Sequence, residues 1–102
     1  MLKENSALIE KVVQSCHILS MEGHNDINLG HVSARLPGTP YLLIKSSGKG
    51  LWEVAPEDMI IIDLQGNVIE GDKKCHIEYP IHTELYRLRK DLNCVIHTHP
   101  FY

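Results

Sequence analysis

His97 and His99 stand two residues apart at the end of the run CVIHTH, and imidazole pairs at that spacing are metal-binding chemistry. On an extended strand, residues i and i+2 point to one face with Cα atoms about 6.5 to 7 Å apart. Two rings so placed can converge on one zinc ion at about 2.0 to 2.1 Å each, although the same pair can simply close a strand. Four of the seven histidines, His76, His82, His97 and His99, fall in the last 27 residues. Glu78 and His82 lie four apart in a stretch with helical spacing, which stacks them on one face. A carboxylate beside a dication can be a ligand or the base for a substrate proton. His82 reads as a supporting or packing residue rather than a ligand.

The elements that must position these groups follow from apolar spacing. Leu8, Ile9, Val12, Val13, Cys16 and Leu19 recur at helical steps and predict a helix from Ser6 to Met21, begun by Asn5 or Ser6 and ended by Gly23. His31 to Leu36 alternates polar and apolar residues, as a strand with one buried face does. Tyr41–Lys45 reads as a second strand, SSGKG as a loop, and APEDM as a short helical turn with Pro56 at its first position. MIIIDL and NVIEG flank Gln65-Gly66 as a hairpin. Ile77, Ile81, Leu85 and Leu88 predict a second helix over 77–90 packed on those residues. CVIHTH is the last strand. Gly30, Ser33, Ser46, Ser47 and Gly48 sit at strand-to-loop junctions, where backbone N–H groups and hydroxyls can bind an anion or a sugar oxygen.

Composition narrows the function classes. The chain has 102 residues, one domain's worth, with 43% hydrophobic and 23% charged residues. A formal charge of -3 offers no basic footprint, so nucleic acid is not an expected partner. No apolar run approaches the roughly 20 residues that cross a bilayer, and a membrane role is not expected either. Cys16, Cys75 and Cys94 are odd in number and form no C-x-x-C pair, which favours a reducing, cytoplasmic setting and small core thiols. Cys75, beside His76, is an outside candidate to touch a metal.

Together, NLGHVSAR, IKSSG, APEDMIIIDLQGNVIEG, Glu78-x-x-Ile81-His82 and VIHTHP resemble the class II aldolase and adducin family. The resemblance covers about residues 5–102, as a single domain expected to be incomplete at its C-terminal end. It implies an α/β fold, an α/β/α sandwich around a central mixed, largely antiparallel sheet. A divalent metal, usually zinc, and a homotetramer are implied with it. By the same resemblance His97 and His99 fall on the family's two metal histidines, and Glu78 on its catalytic acid/base and metal-site glutamate. Ser47 and Gly48 fall on its phosphate-binding [ST]-G, and Gly30, His31 and Ser33 on its G-N-[VI]-S stretch. The third metal histidine would lie beyond Tyr102, so the 102 residues alone are expected to be inactive. His31 replaces the family's asparagine, and His76 and Ile77 replace the serines before the glutamate. Losing two hydroxyls weakens a phosphate pocket, each charge-assisted hydrogen bond being worth about 1.5 to 3 kcal/mol, and makes a carboxylate-bearing substrate credible.

The activity implied is that of a metal-dependent lyase that cleaves a C–C bond of a hydroxy-carbonyl substrate, a sugar phosphate or related compound, through a metal-stabilised enediolate. A decarboxylase of a hydroxy or keto acid is the alternative within the family. An adducin-like interaction module without catalysis is the rival from another class, and the presence of both histidines and the glutamate speaks against it.

Overall fold

A computed structural model of the chain describes residues 1–23 and 30–98. His99, expected as a metal ligand, lies outside the described residues, as does the turn-rich stretch 24–29.

Helix α1 (Ser6–Met21) buries Ile9, Val12, Val13 and Cys16, the apolar stripe that its sequence spacing draws. Its start has no side-chain cap, and the Asn5 side-chain N–H donates to the Met1 carbonyl. At its end Gly23 turns the chain with φ +90°, a conformation that glycine adopts without steric cost, and its N–H reaches the Ser20 carbonyl at 3.1 Å.

Five strands follow: β1 (His31–Arg35), β2 (Leu42–Lys45), β3 (Met59–Ile62), β4 (Val68–Glu70) and β5 (Cys94–His97). They form one sheet in the order β4-β3-β2-β1-β5, every pair antiparallel. A single 3-10 turn, Pro56–Asp58, leads into β3, and the β3–β4 hairpin turns at Gly66 with φ +88°. Between β4 and β5 the chain crosses the sheet through helix α2 (Pro80–Leu88), which carries it from one edge to the other.

The helices cover opposite faces, giving three layers, α/β/α. Strand alternation divides the side chains cleanly. Val32, Ala34, Leu43, Met59 and Ile61 pack with α1, and Leu42, Ile44, Ile60, Ile62 and Val95 lie on the α2 side with Tyr86. The strand β1 was expected to bury one face only. His31, Val32, Ser33 and Ala34 are all buried, because a helix covers each side of it.

Helix α2 departs furthest from expectation. It begins at Pro80, so Glu78 lies in the turn before it and not on its face with His82. Proline fits the first helical position, where no N–H is needed. Its buried residues are His82, Thr83 and Tyr86, while Ile77 is 91% and Leu88 is 77% exposed. The apolar stripe expected to face the core faces outward. Arg35 of β1 fixes the helix end from below: its guanidinium donates to the carbonyls of Tyr86, Arg89 and Leu92 at 2.9 to 3.3 Å, satisfying acceptors that a helix end leaves open. Two cysteines also differ from the expected core role, Cys75 being half-buried and Cys94 exposed on edge strand β5.

Candidate functional site

The α2 face of β1 carries His31 and Ser33, two residues apart and therefore on one side of the sheet. Pairing with β5 sets His97 directly opposite His31, and their rings stack with centroids 4.9 Å apart. From above, α2 lowers His82 and Tyr86, one turn apart, onto the same spot. The turn before α2 adds His76 and Glu78. Three separate segments thus meet around His31.

His31 is the hub. Its Nδ1 lies 2.8 Å from Nε2 of His82, and its Nε2 lies 2.9 Å from Oε1 of Glu78. His76 stacks on it at 4.0 Å, on a nearly parallel plane. Behind His82, the Ser33 hydroxyl sits 2.6 Å from Nδ1 and 2.9 Å from the Tyr86 hydroxyl. The cluster runs from a wet end to a dry one: the Glu78 side chain is 43% exposed, that of His31 only 3%, and Tyr86 is fully buried.

Burial sets the charge states. It pushes the His82 imidazolium down to about 3 and that of His76 to about 4, with the neighbouring rings adding repulsion. For His31 burial outweighs the pull of Glu78 and lowers its pKa, so the 2.9 Å contact is a hydrogen bond from a neutral ring to a carboxylate. Tyr86 is raised to about 12 by burial and stays a phenol.

Ligand atoms of His31, Glu78 and His97 lie within 4.8 Å of one another, as do those of His31, His76 and His82. Imidazole nitrogens with a carboxylate oxygen form a donor set that suits zinc and related divalent ions. Both ring nitrogens of His76 are buried with no hydrogen-bond partner among the described residues, which leaves a polar ring aimed into the cluster with its hydrogen bonds unmade. The residues present fit a metal.

Ser47 and Gly48 occupy an exposed turn after β2, where Gly48 has φ +101°. The Ser47 N–H donates to the Lys74 carbonyl, which ties this turn to the segment leading into His76. Lys45, buried beneath it, donates through Nζ to the carbonyls of Ser46 and Lys49 and braces the turn from inside. Gly30 is buried against the Leu51 side chain, whose Cδ1 would lie 2.7 Å from an added Cβ and would have to shift to admit one. No described hydrogen bond brings Cys75 to the cluster; it packs against the apolar core on the α2 side.

Tyr86 and Lys45 were not singled out as site residues, and their parts emerge only from the fold. The available signal for Tyr86 was its i, i+4 spacing from His82, which places both on one helix face.

A family model described as the class II aldolase and adducin N-terminal domain matches residues 10–102. The chain is 37% identical to a 3,4-dihydroxyphthalate decarboxylase of Arthrobacter keyseri, across 89% of this chain and 40% of that protein. It is 35% identical to a 5-methylthioribulose-1-phosphate/5-deoxyribulose-1-phosphate aldolase of Escherichia coli O45:K1, across 94% of this chain and 44% of that one. Among solved structures, an L-fuculose 1-phosphate aldolase from Glaciozyma antarctica PI12 superposes over 100% of this chain and 44% of its own length, with a TM-score of 0.89 at 23% identity. The chain spans less than half the length of these relatives. Among the described residues no helix is long and apolar enough to cross a membrane.

Proposed function

The chain belongs to the class II aldolase and adducin N-terminal domain family, and on that premise we propose that it supplies the first part of a metal-dependent lyase site that breaks a C–C bond in a hydroxy-carbonyl substrate. The observation that carries this reading is the meeting of Glu78 and His97 beside His31, from a turn and two strands, within 4.8 Å. His97 and Glu78, with His99 next but one in the sequence, are the residues that would hold the ion. A divalent cation there supplies positive charge against the electron pair left behind when the bond breaks.

The remaining work falls to this chain's own groups. Glu78, at the wet end, is placed to take the proton of a substrate hydroxyl as the carbon fragment departs. The His31 N–H beside it can donate to a substrate oxygen as negative charge develops there. The turn at Ser47 and Gly48, braced by Lys45, offers N–H and hydroxyl donors to an anionic group at the far end of the substrate. A homotetramer belongs to the same proposal, and sedimentation of the protein tests it.

A second reading, decarboxylation of a hydroxy or keto acid, is favoured by His76. Its neutral ring, without a hydrogen-bond partner among the described residues, stands where the sugar-phosphate members of the family carry serine, and suits a carboxylate better than a phosphate dianion. The two differ in what leaves. Assays of the zinc-loaded protein against phosphorylated ketoses and against hydroxylated aromatic or keto acids separate them: aldehyde release supports the aldolase reading, carbon dioxide release the decarboxylase. No turnover of either class by the zinc-loaded full-length protein would contradict both.

A further inference from the structure

The hydrogen-bonded chain from Tyr86 to Glu78 has one direction, and it starts at the dry end. The Tyr86 phenol is buried, and the only described partner for its own proton is the Ser33 hydroxyl. Tyr86 therefore donates to Ser33. The Ser33 proton must then go to its other neighbour, Nδ1 of His82, 2.6 Å away. With Nδ1 accepting, the proton of His82 sits on Nε2 and points at Nδ1 of His31, 2.8 Å away. His31 in turn accepts at Nδ1 and carries its proton on Nε2, 2.9 Å from Oε1 of Glu78. Running the chain the other way would leave a buried phenol proton with no acceptor among the described residues.

We propose that Tyr86, Ser33 and His82 act as positioning residues that lock His31 into its Nε2–H tautomer, making it a hydrogen-bond donor at the site and barring it from metal ligation. The proposal deepens the lyase reading and rests on it. Two consequences follow. Neither His31 nor His82 can offer a lone pair to a cation, since every ring nitrogen is committed, so the ion is left to His97, Glu78 and His99, with the His76 ring beside them. A proton taken up by Glu78 also finds Nε2 of His31, 2.9 Å away, already occupied. It stays at the wet end and returns to substrate or product instead of draining into the protein.

The test is two-bond 1H–15N correlation on protein with 15N-labelled histidine rings, metal-free and zinc-loaded. The expected spectrum shows His31 and His82 each as a single neutral Nε2–H form, unchanged by zinc, while the ring signals of His97 shift. An Nδ1–H or doubly protonated His31, or loss of the His31 Nε2 proton on zinc binding, would overturn the lock. In Tyr86→Phe the first donor is gone, and a second set of His31 and His82 signals from the other tautomer should appear. One undisturbed Nε2–H set in that folded variant would remove Tyr86 from the role. Ser33→Ala breaks the same chain one link further on with a smaller change and is read in the same way, should Tyr86→Phe not fold. The lyase reading fails separately: tautomers as expected but no zinc shift at His97 would contradict the metal site and leave the lock standing.

Discussion

The two faces of the sheet are built on the same strands and do different work. On the α1 side, Ile9, Val12, Val13 and Cys16 meet Val32, Leu43, Met59 and Ile61 in an apolar layer. On the α2 side the layer is apolar over β2 and β3; over β1 and β5 only Val95 continues it, among His31, Ser33, Arg35 and His97 beneath His82, Thr83 and Tyr86. One residue of strand register decides which set a side chain joins. The stable face frees the other to bury polar groups, at the cost of desolvation that only a complete hydrogen-bond network offsets.

The sharpest way to break this contrast is Glu78→Gln. The amide keeps the shape and loses the proton-transfer group, so turnover should fall by about 10² to 10⁴-fold while zinc stoichiometry and melting stay near the wild type. Turnover at the wild-type rate would remove Glu78 from the acid/base role. Ile61→Ala on the α1 side should do the reverse. Truncating a fully buried isoleucine costs about 2 to 5 kcal/mol in denaturant titration, and the tautomer signals of the histidine cluster should be unaltered wherever the variant remains folded.

Acid tests the polar face through its buried rings. His76 and His82 have folded pKa values depressed to about 4 and about 3. Below the ordinary value near 6.5 the unfolded chain binds protons that the folded chain refuses, so stability is full above that pH and drains as pH falls toward 4. The slope expected for the metal-free protein is about 1.4 kcal/mol per pH unit for each group, and His82→Gln should make it shallower. A flat profile between pH 6.5 and 4 would show these rings charged or exposed. The smallest effect belongs to the outward stripe of α2: Leu88→Ser should change stability by no more than about 0.5 kcal/mol. A loss of the size seen at Ile61 would mean that the helix buries its apolar side after all.

That last pair explains what could be read from sequence. Helix α1 was legible because its neighbours on the sheet are all apolar, and hydrophobic spacing then points at the core. The rule fails for α2. Its buried side carries His82, Thr83 and Tyr86 because their partners His31, Ser33 and Arg35 lie some fifty residues earlier, and spacing within one segment says nothing of such partners. His31, Ser33, His76, Glu78 and His97 stood out by residue type and by resemblance to a family. That His31 is their hub depended on strand register, β1 against β5, which is a long-range property. Lys45 looked like the last residue of an ordinary strand, and its bracing of the Ser47 turn is visible only once the loop closes over it.

The claim on which the account turns is that His97 anchors a metal on the α2 face beside Glu78. Calorimetric zinc titration measures it directly, run in a Cys94→Ser background because that exposed thiol could bind zinc by itself. The account predicts zinc uptake by the parent protein, its loss in His97→Ala, and its substantial retention in Glu78→Gln with the fold intact in both. Zinc binding in His97→Ala equal to that of the parent would contradict it.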